Sequence, residues 1–405
     1  MQSQFRRQGS TDMQGDFVKI AKNYSAKTAY LVFSAMSTPQ GSFQMSKALA
    51  KFSGLMLFLN DQDNNWYQHG IPGIGESTAE TVCTLKAEFT SEGIERIVCI
   101  GASMGGYGAA LYGELLEADL VICFSCELQL GLPFSRSALH STVNKEDARH
   151  SIDKIIRHNT KTKFIFVVGT SDIIDLYNIS LVHNCGFEIY FLKNKNHFLT
   201  QDLHNEFTLE SVIQDFEAGR GFPHESWLDQ SEQFQKDFSH IEKVYELYVA
   251  VRRRNHERCA ELVSQIPADN SLETAKLYTG MYYSRIKKYA EAETLLGQAM
   301  EINPANRETV FQLAICKRAL GKFDEAAKLY TLVLEQDPSY AAAHHHLGMI
   351  EERYKNLDKA VFHFESAIAI KAEPQYAANL VSVLEKQVTE ITHRIQELTT
   401  LSSQA

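Results

Sequence analysis

Six short apolar runs follow one another between residues 28 and 194, and segments of mixed polarity separate them. The runs are rich in β-branched and aromatic residues, and their apolar positions are consecutive instead of alternating with polar ones. This pattern is typical of strands buried on both faces of a sheet. Because helical or loop segments separate the runs, we predict a mostly parallel α/β sheet with right-handed crossovers. The runs are TAYLVFSA, GLMLFLN, RIVCIGA, LVICFSC, KFIFVVG and FEIYFLK.

A different period begins near residue 240, where strand-like runs end and residue types recur every 34 positions. Aromatic or large residues, alanines, small residues and prolines each keep this step. Small residues allow two helices to approach closely, aromatic residues fill the space between them, and proline ends the unit. The registered positions are Tyr289, Phe323 and Leu357; Ala292, Ala326 and Ala360; Gly280, Ala314 and Gly348; and Pro304 with Pro338.

This repeat resembles tetratricopeptide repeats over about residues 272–374, which is about three units, with a degenerate unit at 239–268. Pro374 falls two residues late, so the last unit is irregular, and a helix at about 375–400 is expected to cap the stack. The resemblance implies an all-α solenoid that binds a protein or peptide partner. Self-association through the repeats is a further possibility.

The two patterns define the expected domains. We predict an N-terminal extension at 1–24, a sheet domain at 25–215, a linker or docking segment at 216–238, and a repeat domain with its capping helix at 239–405. The linker contains the glycines, the proline and the tryptophan of EAGRGFPHESWLDQ.

The third run leads into a glycine-rich turn around Ser103. Gly101-Ala102-Ser103-Met104-Gly105 fits the G-x-S-x-G nucleophile elbow, with a strand before it and a predicted helix, MGGYGAALYGELLEA, after it. A sharp strand-to-helix turn would expose the serine above the sheet edge and direct backbone N–H groups at developing negative charge. The alternative is a glycine-rich turn that serves helix–sheet packing alone.

A serine needs a base to take its proton. Asp172 follows the fifth run and His197 follows the sixth, so both are expected at the same sheet edge as Ser103. Asp175 is the alternative acid. His204 is expected at the surface, and His183 precedes a strand at the opposite edge.

The order serine, acid, histidine resembles the α/β-hydrolase superfamily over about residues 25–215. The resemblance implies that Ser103 attacks an acyl carbon, that His197 accepts and returns the proton, and that Asp172 orients the imidazole. No cofactor is implied.

Two backbone N–H groups would form the oxyanion hole. The resemblance implies Met104 as one donor, and Ala35 or Met36, in the loop after the first run, as the other. That loop lacks the HGGG or HG motif of many lipases and esterases.

A second loop at the same edge holds Asp61, Trp66 and Tyr67. Exposed aromatic residues there could stack on a sugar or an aromatic acyl group. The alternative is that both rings pack the loop onto the domain. Asp61 could hydrogen-bond to a substrate or cap the turn.

Composition restricts the remaining possibilities. A net charge of −10 disfavours nucleic-acid binding. No apolar run approaches the ~20 residues of a membrane span, and the first twenty residues lack the apolar core of a signal peptide. Seven scattered cysteines indicate a reduced, cytoplasmic protein. Cys123 and Cys126 are expected in the core, and no metal is expected at residues 344–346, where three adjacent histidines would diverge on a helix.

These features predict a serine hydrolase (esterase, thioesterase or acyltransferase) fused to a partner-binding repeat domain. Its substrate would be an acyl ester or thioester. The short segment at 127–160 predicts an open site, which suits a glycan-linked or carrier-linked acyl group, and the resemblance suggests polysaccharide biosynthesis. The alternative is a catalytically inactive scaffold that binds partners through its repeats.

Overall fold

The computed structural model describes residues 12–22, 27–140, 150–156 and 161–404. The chain divides into two compact units, Met1–Thr274 and Ala275–Ala405, and each is described by itself. Much of the predicted N-terminal extension, 1–24, and of the segment 127–160 lies outside the described residues.

Over its described residues, the first unit contains a mixed eight-stranded sheet with the order β1-β2-β4-β3-β5-β6-β7-β8. Strands β3 to β8 are parallel, whereas β2 is antiparallel to both β1 and β4. Each of the six predicted runs contains one of the parallel strands, and every residue of β4 and β6 is buried. The strands are β1 (Asp12–Gln14), β2 (Val18–Lys22), β3 (Thr28–Phe33), β4 (Leu55–Leu59), β5 (Arg96–Ala102), β6 (Leu120–Phe124), β7 (Lys163–Gly169) and β8 (Glu188–Leu192).

Strands β1 and β2 were not predicted, because we assigned their residues to an extension. All five residues of β2 are only half-buried, so its sequence lacks the continuous apolar run of the other strands. The sheet therefore begins inside the segment that was predicted to precede it.

Helices lie in the connections between parallel strands except that from β3 to β4, and further helices follow β8. Helix α1 follows β4, α2 follows β5, and α5 follows β7. The helices of this unit are α1 (Thr78–Ser91), α2 (Met104–Leu116), α3 (Arg136–His140), α4 (Asp153–Ile156), α5 (Ile173–Ser180), α6 (Leu199–Glu206), α7 (Leu209–Glu217), α8 (Glu232–Phe238), α9 (Ile241–Arg252) and α10 (His256–Gln265).

The predicted linker is docked on the sheet edge. The N–H of Lys193, just after β8, donates to the Trp227 carbonyl at 2.7 Å, and the N–H of Asp229 donates to the Phe191 carbonyl at 2.8 Å. The Lys195 ammonium lies 4.1 Å from the centre of the Trp227 ring. Residues 216–238 therefore belong structurally to the sheet unit.

The degenerate repeat also packs with the sheet unit. The Tyr245 ring of α9 stacks on Tyr177 of α5 at 4.3 Å, and the Tyr245 hydroxyl donates to the Pro133 carbonyl at 3.1 Å. These contacts explain why the boundary between the compact units lies after Thr274, whereas we predicted a repeat domain from residue 239.

Helical pairs with the predicted period form the C-terminal solenoid. Its first helix begins at the unit boundary, and corresponding helices start 34 residues apart. They are α11 (Glu273–Arg285), α12 (Tyr289–Ile302), α13 (Arg307–Ala319), α14 (Phe323–Gln336), α15 (Ala341–Arg353), α16 (Leu357–Ile370) and α17 (Pro374–Gln404).

The registered small residues do what the pattern predicted. Ala292, Ala326 and Ala360 are fully buried. A Cβ on Gly348 would lie 2.7 Å from the Phe364 ring, so only glycine allows this approach of α15 and α16. Among the described residues, no helix is both long enough and apolar enough to cross a membrane.

Candidate active site

Ser103 occupies a strained turn between β5 and α2. Its φ of 55° and ψ of −122° are unfavourable for a residue with a side chain. The turn is held by the Ser103 N–H, which donates to the Phe124 carbonyl at 2.9 Å. Strain of this kind persists only where the surrounding structure enforces it.

The neighbouring glycines show how tightly this turn is packed. A Cβ on Gly101 would lie 2.0 Å from the Gly105 carbonyl oxygen, and one on Gly105 would lie 2.2 Å from the Phe33 carbonyl oxygen. No side chain fits at these distances. The glycines therefore allow the first turn of α2 to lie against the end of β3.

Three side chains form a continuous hydrogen-bonded chain. His197 Nε2 lies 2.8 Å from Ser103 Oγ, and His197 Nδ1 lies 2.9 and 3.0 Å from the two carboxylate oxygens of Asp175. Asp175 is fully buried and His197 is nearly so. In the tautomer that donates Nδ1–H to the Asp175 carboxylate, Nε2 is left to accept from the serine hydroxyl.

The acid in contact with the histidine is thus Asp175, and our preference for Asp172 is corrected. Asp172 is the N-cap of α5, where its Oδ1 accepts the N–H groups of Ile174 and Asp175 at 3.0 and 3.1 Å. Its Oδ2 accepts from Arg136 Nη2 at 3.0 Å. Capping and an ion pair occupy the carboxylate that we expected to orient His197.

Arg136 links the two carboxylates, and sequence reasoning missed it. Its Nη1 lies 3.7 Å from Asp175 Oδ1, beside the bond to Asp172. Burial would raise the pKa of Asp172, but the charges of Arg136 and His197 and the N–H of Asp175 outweigh burial and lower it. Arg136 lies in the segment 127–160, from which we predicted only an open site, and nothing in its local sequence marks it.

Glu127 supports the start of this segment. Its carboxylate accepts the Arg136 N–H at 2.9 Å and the Ser137 hydroxyl at 2.5 Å. Burial raises the pKa of Glu127, with Ser137 and Arg136 opposing the shift. Glu127 therefore holds the backbone from which Arg136 reaches the carboxylates.

The predicted oxyanion donors lie in two different segments. Met104 is the first residue of α2, so its N–H has no acceptor within the helix. The Ala35 N–H donates to Gln44 Oε1 at 3.1 Å and would have to exchange that bond for an oxyanion. Met36 follows in the same loop.

Trp66 and Tyr67 do not offer rings to a substrate, which corrects the binding role that we predicted for exposed aromatic residues. Both are 0% exposed. The Tyr67 hydroxyl donates to the Ser34 carbonyl at 2.7 Å, and its ring meets Phe33 edge-on. The two residues pack the loop against the strand ends, as in the alternative interpretation.

Asp61 is also buried, and its place is inside the loop. Backbone N–H groups of residues 62 and 65–67 face its carboxylate, yet burial dominates and raises its pKa to about 7. Its Oδ2 has no hydrogen-bond partner among the described residues. This geometry fits the turn-capping interpretation better than substrate contact.

The side chains that could bind a metal ion lie beside a positively charged arginine, which disfavours an ion there. Within the described ranges, the group of acidic and histidine ligands close enough for an ion is Asp172, Asp175 and His197, where the adjacent Arg136 would repel a cation. The three adjacent histidines diverge as predicted. His344 contacts His363, His345 contacts Asn379, and His346 stacks on Tyr330.

Comparison with known proteins concerns the repeats. The family model described as tetratricopeptide repeat matches residues 287–347, which confirms the repeat assignment there. No curated protein matches the chain.

Solved structures show weak similarity. MamA (AMB-1) is 17% identical, with 36% of this chain and 88% of that chain covered and a TM-score of 0.33. The first TPR of Spaghetti (RPAP3), bound to the HSP90 peptide SRMEEVD, is 20% identical. The match covers 29% of this chain and 93% of that chain, with a TM-score of 0.28. The Sgt2 TPR domain from Aspergillus fumigatus is 22% identical. The match covers 30% of this chain and 82% of that chain, with a TM-score of 0.28. Similarity this weak carries no functional argument.

Proposed function

We propose that the chain is a serine hydrolase or acyltransferase whose repeats bind a protein or peptide partner. The observation that carries the catalytic part is the hydrogen-bonded chain from Ser103 through His197 to Asp175. A serine hydroxyl, a neutral imidazole and a buried carboxylate in this order are the groups needed to activate an oxygen nucleophile.

The topology supports an α/β-hydrolase interpretation of the sheet. The chain leaves β3 toward β4 on one side and leaves β5 toward β6 on the other. Ligands of open α/β sheets bind where connections diverge in this way, at the carboxyl ends of the strands. Ser103 follows β5, and the acid and histidine come later in the order typical of this superfamily.

The proposed reaction has two acyl transfers. Ser103 Oγ attacks the acyl carbon of an ester or thioester while His197 Nε2 takes the hydroxyl proton. The bond to the leaving alcohol or thiol then breaks, and His197 returns the proton to it. Water or an acceptor hydroxyl attacks the Ser103 ester, again through His197, and releases the acid or the new ester with Ser103 restored.

Asp175 and Met104 have separate roles in these steps. The buried carboxylate holds Nδ1–H in place and stabilises the imidazolium formed at each attack. The Met104 N–H at the start of α2 is available to the oxyanion, where a fixed donor contributes about 3–4 kcal/mol to transition-state stability.

Covalent labelling tests the catalytic proposal. The full chain is incubated with a fluorophosphonate probe beside Ser103→Ala and His197→Ala, and Ser91→Ala on α1 serves as the matched serine control. We expect an adduct on a Ser103 peptide in wild type and in Ser91→Ala alone. A fully folded wild type that takes no label, or a label retained by Ser103→Ala, would contradict the proposal.

A scaffold without catalysis is the second candidate, because the family match lies wholly in the repeats. Stacked helix pairs form an extended concave surface suited to a peptide or protein. Two results together would support the scaffold. The Ser103→Ala variant would still bind the protein partners that the wild type binds, and the wild type would hydrolyse neither p-nitrophenyl acetate nor an acyl thioester. Turnover that depends on Ser103 would instead favour the enzyme.

A further inference from the structure

The C-terminal half of α17 lies outside the solenoid core. Near its start the helix packs on the repeats, with Val383 fully buried beside Leu357, Ala360 and Phe364. Lys386 and Gln387 still bond to Glu352 and Asp358. From residue 388 to residue 403, every side chain is exposed. A water-exposed helix of this length is marginally stable without packing.

An apolar stripe runs along this helix. Its members are spaced alternately by three and four residues and are 41–63% exposed. That spacing is the a/d pattern of a coiled-coil heptad, sustained for about three heptads. The stripe consists of Val381, Leu384, Val388, Ile391, Ile395 and Leu398, and Leu401 extends it.

We propose that this stripe is a dimerisation surface, on which α17 of a second copy of the chain forms a parallel, two-stranded coiled coil. The a positions are all β-branched, at Val381, Val388 and Ile395. The d positions are Leu384, Ile391 and Leu398. β-Branched residues at a with mainly leucine at d favour two parallel strands over higher assemblies.

The flanking positions permit this pairing. In a parallel dimer each g residue faces the next e residue of the partner helix, so Gln387 meets Thr392 and Arg394 meets Thr399. Neither pair brings like charges together. Burying the stripe from both copies removes on the order of 1,200 Å² of surface from water, which reaches the lower end of stable interfaces.

The polar face of the helix argues against a membrane as the occupant. Glu385, Glu390 and Glu397 lie there with few cationic residues. Helices that bind a bilayer surface are instead rich in lysine and arginine on the polar face.

Light scattering coupled to size exclusion tests the proposal on the full chain. We expect wild type at twice the 45.8 kDa chain mass. Ile391→Lys combined with Ile395→Lys should run as a monomer, because it places charges at one d and one a position. Thr389→Lys combined with Gln396→Lys adds the same charge at exposed b positions and should remain dimeric.

Two results would overturn the proposal. One is a monomeric wild type at all concentrations tested, whether or not it binds anionic vesicles or another protein. The other is a dimer that persists in the variant with lysines at 391 and 395 while its circular dichroism shows a folded chain, because the interface would then lie elsewhere.

Disulfide trapping tests the orientation. Leu398→Cys lies at a d position away from the middle of the stripe, so identical residues face each other only in a parallel pair. We expect rapid oxidation to a covalent dimer, and slow oxidation for Thr400→Cys on the opposite face. Equal rates for the two variants, or no crosslink through residue 398, would contradict a parallel coiled coil.

Discussion

Exchanging each aspartate near His197 for asparagine separates their roles. In Asp175→Asn the amide nitrogen can donate to His197 Nδ1, which favours the tautomer that carries its proton on Nε2. That tautomer cannot accept the Ser103 proton. We expect kcat to fall by about 10³–10⁴, which corresponds to about 4–5.5 kcal/mol of transition-state stabilisation.

Asp172→Asn should behave differently. Its amide oxygen can still accept from Ile174 and Asp175, so the cap of α5 is retained. The variant loses the charge on Oδ2 that faces Arg136 at 3.0 Å. Because the hydrogen bonds of Asp175 to His197 remain, we expect kcat to fall by less than about tenfold, or ~1.4 kcal/mol.

The assay compares rates of fluorophosphonate labelling and p-nitrophenyl acetate turnover, both corrected for the folded fraction measured by circular dichroism. The ratio between the two variants is the informative quantity, since both remove one negative charge beside Arg136. If Asp172→Asn were the more damaging variant in folded protein, the assignment of Asp175 as the orienting acid would be refuted.

Four further substitutions test the packing of three glycines and the burial of Asp61. Gly105→Ala places a Cβ 2.2 Å from the Phe33 oxygen, so displacement of α2 should abolish labelling of Ser103; full labelling would show that the turn tolerates the shift. Gly348→Val should destabilise the repeats by about 1–3 kcal/mol in thermal melts, whereas Gly297→Ala, with open space around its Cβ, should stabilise them by about 0.5–1 kcal/mol. Asp61→Asn removes a carboxyl whose folded pKa of about 7 exceeds its unfolded value. Wild type should therefore lose about 3 kcal/mol of stability relative to this variant between pH 5 and pH 8, measured by tryptophan fluorescence in urea; a constant difference would exclude the raised pKa.

Most of the fold could be predicted from the sequence, because buried strands and helices show a regular pattern of apolar or small residues. Strands covered on both faces are continuous apolar runs, and repeated helix pairs need small residues such as Gly348 at fixed intervals. The half-buried strand β2 has no continuous apolar run, so the sequence did not predict it. The unit boundary was displaced because Tyr245 packs on Tyr177, a contact between distant segments that no local pattern encodes.

The sequence predicted which strand ends and which helix carry the site residues, but not which aspartate contacts His197. Asp172 and Asp175 are three residues apart at the start of one helix, so both approach the same sheet edge, and sequence position cannot decide between them. The structure distinguishes them through Arg136, which lies in another segment and donates to Oδ2 of Asp172, while the N-terminal N–H groups of α5 donate to Oδ1. With both oxygens of Asp172 engaged, Asp175 is the carboxylate left to bond His197. The same arginine lies 3.7 Å from Asp175, so one positive charge stands beside both carboxylates and helps to lower the pKa of Asp172.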